Sequence, residues 1–221
     1  MKAAIRTVVF DFEGTLVDFQ WQLDAAHAQL RRAFAEHGFA VDGNYARMWN
    51  AAAEQAAAQG RLAALRRALH PVYDRWDADA LARWSPRPGA AALLQRLAAQ
   101  GVAAALVSNV GRAALEPALQ RFGLRQWLQP VVSRDDVLRL KPAPEGVLAA
   151  LAATRTAAAA ALFVGDSLAD IAAARAAGLR VAIVRGGEVP AAELDAAQPD
   201  WVVDGLDEVA GLVAATRGDG A

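Results

Sequence analysis

The 221-residue chain is 55% hydrophobic and 21% charged with a net charge of -1, which excludes disorder and leaves no basic footprint for nucleic acid or an anionic membrane. It contains no cysteine, so disulfides, thiolate zinc sites and cysteine nucleophiles are excluded. Arg6 and Asp11 interrupt the N-terminal apolar stretch, so no signal peptide is expected. The apolar run from Ala157 to Val164 is far shorter than the ~20 residues that span a bilayer, and a soluble cytoplasmic protein is expected.

Ile5 to Phe10 reads as a strand buried on both faces, because its apolar residues run on without strict alternation. It leads into Asp11-Phe12-Glu13-Gly14-Thr15-Leu16-Val17-Asp18. Residues i and i+2 of a strand point the same way, so Asp11 and Glu13 start on one side, and Gly14 lets the backbone bend. Two carboxylates so placed suit metal binding, or a nucleophile with an acid/base partner; an ordinary acidic turn is the plain alternative.

The next stretch is helical. Leu23, His27, Leu30, Phe34 and His37 recur at helical spacing up to Gly38, a C-cap residue. A second helix is expected over Tyr45 to Gln59. Two more are expected over Arg61 to Leu69 and Val72 to Leu81, separated by His70-Pro71. No strand signal occurs between about residues 20 and 84, and Ser85-Pro86-Arg87-Pro88-Gly89 forms a stiff joint.

Beyond the joint, strands and helices alternate. Helix is expected over Ala90 to Gln100, and strand over Val102 to Val107. A further helix runs through Phe122-Gly123, with Pro117 distorting it or delaying its regular part. A short strand covers Pro130 to Ser133, and Pro144 opens a helix through Leu151. Then come a strand at Ala161 to Val164, a helix at Asp170 to Ala177 and a strand at Val181 to Val184. Trp201 to Val203 reads as an edge strand before a helix from about Leu206 to Ala215, and Arg217 to Ala221 as a loose tail. This alternation specifies an α/β fold, a Rossmann-like parallel sheet flanked by helices. Residues 1–18 and 86–221 form its core domain, and residues 19–85 an inserted α-helical cap domain.

Three apolar strands end in polar groups: Asp11, Ser108-Asn109 and Asp166. In an open parallel sheet such residues gather along the carboxyl edge, where ligands bind. Lys141 lies in a loop between the second and third of these. Apart from Lys2 it is the only lysine in a chain that otherwise uses arginine, which suggests a role for a compact ammonium. Each residue also has a plain reading: helix caps for Ser108 and Asn109, a solvated lysine, turn formers at Asp166 and Ser167, and a dipole partner in Asp170. Taken together they supply carboxylates, a cation, and hydroxyl and amide donors, the requirements of phosphoryl transfer.

The motifs Asp11-Phe12-Glu13-Gly14-Thr15-Leu16, Ser108-Asn109, Lys141-Pro142 and Gly165-Asp166-Ser167-Leu168-Ala169-Asp170 resemble, in order and spacing, the haloacid dehalogenase superfamily of hydrolases. The likeness covers nearly the whole chain and extends to a helical cap between the first and second motifs. It implies a phosphatase with Asp11 as the nucleophile that forms an aspartyl-phosphate. It also implies Mg2+ held by Asp11, the backbone carbonyl of Glu13 and Asp166, with Asp170 in support. Ser108 and the Asn109 backbone would bind the phosphoryl group, and Lys141 would offset the charge. Glu13 stands where most phosphatases of the family have aspartate, and here the sequence resembles the enolase-phosphatase branch. The implied role is general acid, then base.

The retained acids Glu13, Asp166 and Asp170 argue against dehalogenase chemistry, and a cap without lysine argues against phosphonate hydrolysis. A receiver domain would carry its phosphorylated aspartate after a middle strand and lack such a cap. A phosphomutase and a degenerate binding or regulatory protein remain alternatives. The expected partner is a small phosphorylated substrate, and the chain is expected to be a monomer or homodimer. Arg31, Arg32, Arg47, Arg61, Arg66 and Arg67 are candidates for an anionic substrate tail or for solvated helix faces. Trp21, Trp49, Trp76 and Trp84 read as packing groups rather than a substrate platform, and His27 and His37 as packed on an apolar helix face.

Overall fold

The first strand, β1 (Thr7–Phe10), is buried at every residue and lies inside a six-stranded parallel sheet, as its unbroken apolar run requires. The structure is a computed structural model, and it describes residues 3–218. Strands β2 (Ala103–Val107) and β4 (Ala161–Gly165) flank β1, with Phe10 level with Leu106 on one side and Val164 on the other. Strand β3 (Val131–Val132) extends the sheet beyond β2, and β5 (Arg180–Val184) and β6 (Trp201–Val203) extend it beyond β4. The chain thus steps outward on one side of β1 and restarts on the other. The crevice at such a reversal, outside the carboxyl ends of β1 and β4, is where open parallel sheets take ligands.

Between β1 and the rest of the sheet lie α1 (Leu23–Glu36), α2 (Tyr45–Ala58) and α3 (Leu62–Leu81). Helix α1 closes with Gly38 at φ +82°, where glycine avoids the steric penalty of the left-handed region. His37 is exposed at the C-cap rather than packed, because the helix ends before its side chain can turn inward. Helix α3 replaces the two helices expected around His70-Pro71. Its buried stripe of Leu65, Leu69, Tyr73, Asp77 and Ala80 continues through Pro71 without a break. Burial of several such side chains, at about 1.5–3 kcal/mol each, outweighs the ~3 kcal/mol cost of an interior proline.

Helices α4 (Ala90–Ala99), α5 (Arg112–Arg121), α6 (Glu145–Thr154), α7 (Leu168–Ala176) and α9 (Leu206–Gly218) accompany the sheet, α4 packing on α9 and α6 on α7. Pro117 sits inside α5, which is regular from Arg112 onward, so it does not delay the helix. The short α8 (Ala191–Ala196) is unmarked in the sequence, since six residues are too few for a periodic signal. Helix α9 reaches Gly218, further than the tail expected from Arg217; the rest of that expectation lies outside the described residues. No helix among the described residues is long and apolar enough to cross a membrane.

The inbound and outbound segments of the helical block pair with each other. Asp18 N donates to Ser85 O at 3.0 Å, Arg87 N to Leu16 O at 2.9 Å, and Val17 bridges Pro86. A second attachment is a buried clasp on α3. Asp77 accepts from Trp21 Nε1 (2.9 Å), Gly111 N (2.9 Å) and Arg134 Nη1 (2.8 Å), and Asp74 also pairs with Arg134. Asp77 and Arg134 are each only 1% exposed. Burial raises the Asp77 carboxyl above its ordinary value against the pull of Arg134.

Removing one member of a buried pair strands the other. Asp77→Ala is expected to destabilise the fold by about 3 kcal/mol in urea unfolding at pH 7. His70, 3.3 Å from Asp135, is held below its ordinary value by burial and then by Arg134. The unfolded chain therefore takes up this proton first, near pH ~6.5, so His70 costs stability as the pH falls through that window. Wild type is expected to lose more unfolding free energy than His70→Gln between about pH 7 and pH 5.

Candidate active site

Strand β1 delivers Asp11, whose N–H donates to Val164 O at 2.9 Å. The chain then wraps around the Phe12 carbonyl, which accepts from Leu16 N (2.8 Å) and Val17 N (3.1 Å). This turn places Asp11 at the carboxyl edge of the sheet and sends Glu13 toward the helical block. Oε1 of Glu13 accepts from Gln20 N (2.7 Å), Trp21 N (2.8 Å) and Trp84 Nε1 (3.0 Å). Burial above all pushes the Glu13 carboxyl up to about 7, and the three donors act in the other direction.

Three acids and one cation meet beside β1 and β4. Lys141 Nζ donates to Asp11 Oδ1 at 2.5 Å and to Asp170 Oδ1 at 2.7 Å, with the ammonium almost fully buried. The two carboxylates outweigh burial and hold the lysine above its ordinary value. Burial raises the Asp11 carboxyl well above its usual range; Lys141 opposes this, and Asp170 and Asp166 add to it. Asp166 is pushed up to about 7 by burial and then by Asp170. Thr15 Oγ1 (2.9 Å) and Glu188 N (2.7 Å) hold its two oxygens.

Asp170 combines its plain and its chemical reading. Oδ2 accepts from Ser167 Oγ (2.7 Å), Ser167 N (3.0 Å) and Asp166 N (3.1 Å), forming the capping box that starts α7 at Leu168, earlier than expected. Its other oxygen meets Lys141. Carboxylate oxygens of Asp11, Asp166 and Asp170 all lie within 4.8 Å of one another. This hard-oxygen set fits a divalent cation such as Mg2+. Each oxygen of Asp166 and of Asp170 already accepts from a protein donor, so a cation bound there would share those oxygens with the existing hydrogen bonds.

Ser108 follows β2 into the same crevice, where its Oγ accepts from Val110 N at 3.1 Å. Neither Ser108 nor Asn109 caps α5, whose N-cap is Gly111. The Asn109 side chain instead ties the lysine loop, accepting from Lys141 N (3.0 Å) and donating to Lys141 O (3.2 Å). Asp11, Glu13, Ser108, Asn109 and Lys141 therefore line one cleft of about 480 Å³, measured with its open mouth. Asp166 and Asp170 lie just beneath its surface.

Several members of the site lie outside the expected set. Tyr45, Asp77 and Glu188 line the cleft from helices and a turn distant in the chain, and Thr15 of the first motif bonds Asp166. Of these, Glu188 had a signal: Arg185-Gly186-Gly187-Glu188 is a polar turn after the apolar strand β5. Trp49, Trp76 and Trp84 are packing groups with bonded indoles, whereas Trp21 also lines the cleft. None of the six candidate arginines of the helical block lines it.

The family model for haloacid dehalogenase-like hydrolases matches residues 5–178. The chain is 38% identical over 147 residues to a plasmid-encoded phosphoglycolate phosphatase of Cupriavidus necator, an alignment spanning 66% of this chain and 64% of that protein. It is 35% identical over 191 residues to the phosphoglycolate phosphatase of Cereibacter sphaeroides, spanning 81% and 85% of the two chains. A haloacid dehalogenase-like protein of Agrobacterium tumefaciens superposes with a TM-score of 0.63 at 24% identity, covering 96% and 99% of the two chains, which shows a shared fold.

Gly14 sits at φ +81°, and a Cβ there would overlap the Asp166 carboxylate. Gly14→Ala is expected to cost about 3 kcal/mol in urea unfolding and to abolish any thermal stabilisation by added Mg2+. Gly38→Ala supplies the control: it has a similar φ of +82° but open space around it. Its cost should be only about 1 kcal/mol, with the metal response retained.

Proposed function

Since the chain belongs to the haloacid dehalogenase-like hydrolases, we propose that it is a cytoplasmic, magnesium-dependent phosphomonoesterase acting on a small phosphorylated metabolite. The observation that carries this reading is the buried set Asp11, Lys141, Asp170 and Asp166 at the sheet reversal, with Glu13 two residues beyond the nucleophile. The relatives named as phosphoglycolate phosphatases support hydrolysis over phosphoryl migration.

Asp11 attacks phosphorus, the bond to the leaving alcohol breaks, and an aspartyl-phosphate forms. Glu13 donates the proton that the leaving oxygen needs. Oε1 is already committed to its three donors, so Oε2 is the oxygen that carries this proton. Glu13 then takes a proton from water as the water attacks the same phosphorus, releasing phosphate and restoring Asp11. Ser108 and the Asn109 backbone hold phosphoryl oxygens, and Lys141 offsets the negative charge and fixes Asp11. Asp11, Asp166 and the Glu13 carbonyl would hold Mg2+ with support from Asp170, and the bound cation supplies further neutralisation of the phosphoryl group.

Residues 19–85 act as the cap over residues 1–18 and 86–221, supported by the pairing of their two linkers. The cap excludes bulk water while the acyl-phosphate exists.

Phosphate release from p-nitrophenyl phosphate and 2-phosphoglycolate with Mg2+ tests the reading. Asp11→Asn should abolish turnover, and Glu13→Gln should lower it by about 10²-fold or more with an unchanged circular dichroism spectrum. Chelation should remove activity and Mg2+ restore it. Wild-type turnover in Glu13→Gln would sink the acid/base role. No phosphate release from wild type across a broad panel of esters would sink the phosphatase reading in favour of a binding role.

A further inference from the structure

The cleft's charge balance bears on which leaving group it accepts. Near the reacting position one ammonium, Lys141, faces Asp11, Asp166 and Asp170, and its hydrogen bonds to Asp11 and Asp170 both go to carboxylates. A divalent cation would bring that cluster to neutrality and leave no positive charge for a second anionic group. Further out the walls are Phe19, Trp21, Leu23 and Tyr45, with the acids Glu13 and Glu188. Trp21 and Tyr45 pack ring to ring at 4.9 Å, and both Trp21 N–H groups are spent, one on Glu13 and one on Asp77. The Asn109 side chain is spent on Lys141 and Tyr45. Asp77 brings no net charge, being paired with Arg134. No arginine is among the described residues lining the cleft. Glu188 is close enough to be the largest charge acting on the Tyr45 phenol.

We infer that the cleft selects phosphomonoesters whose leaving alcohol carries no second anion: an apolar or aromatic body, or an amine seated beside Glu188. This rests on the phosphomonoesterase reading and narrows its substrate class. It also separates the chain from its relatives' named substrate, whose carboxylate would meet acids and ring faces here. Selection of this kind works by repulsion as much as by attraction.

The test compares kcat/KM of the full-length protein with Mg2+ for 2-phosphoglycolate, O-phosphoethanolamine and phenyl phosphate at low ionic strength. The second and third are expected to exceed the first by about ten-fold or more. Added salt should narrow the gap between the first two, because screening weakens both repulsion and attraction. Glu188→Gln should narrow the same gap. Equal or higher kcat/KM for 2-phosphoglycolate in wild type would overturn the inference and leave the phosphatase reading standing. Calorimetric Kd values for phosphonoacetate, 2-aminoethylphosphonate and phenylphosphonate measure the same selectivity without turnover. Weakest binding of phosphonoacetate supports the inference even if no ester is hydrolysed, an outcome that would sink the phosphatase reading alone. Binding of phosphonoacetate as tight as the others overturns it.

Discussion

The constraint on which the site depends is the crowding of three buried carboxylates, Asp11, Asp166 and Asp170, at the edge of the sheet. Like charges so close cannot all ionise without compensation, and Lys141 is the compensation the chain itself provides. Much of the surrounding structure serves to put that ammonium in position. The Asn109 side chain grips the lysine's backbone from both sides, and Asn50 of α2 exchanges two hydrogen bonds with the backbone of Leu140. A residue of the helical block therefore helps to aim a cation at the sheet edge.

Asp166 is constrained from other directions. Gly14 and Gly187 approach it so closely that neither position has room for a side chain, and Thr15 and the Glu188 amide fix its oxygens. Space requires glycine at both positions, and at Gly14 the φ of +81° requires it as well. The same carboxylate thus ties the turn after β1 to the turn after β5, which join strands from opposite sides of the reversal.

Glu13 links the site to the helical block. Its extra methylene, compared with aspartate, carries the carboxyl group to the backbone of Gln20 and Trp21 and to the indole of Trp84, at both ends of the block. The departure from the common family pattern thus coincides with a physical contact. A shorter side chain at this position would not span the same distance. Two attachments, the half-buried Glu13 and the buried Asp77–Arg134 clasp, hold the block over the crevice.

The parallel sheet, the run of helices after its first strand, and the placing of Asp11, Ser108 and Asp166 at strand ends were legible in the chain, because each of these signals is local. Unbroken apolar runs mark buried strands, and a polar residue after such a run lands at the carboxyl edge wherever the strand sits. The sequence alone misreads Pro71 as a helix break, since the penalty of a proline is visible in the chain while the buried stripe that outweighs it forms only on packing. The chain alone does not reveal that Asp77 and Arg134, 57 residues apart, form one buried pair, or that Glu188 and Tyr45 line the same cleft. Charges distant in the chain have no pattern until folding brings them into one low-dielectric space, where their balance sets what the cleft can hold.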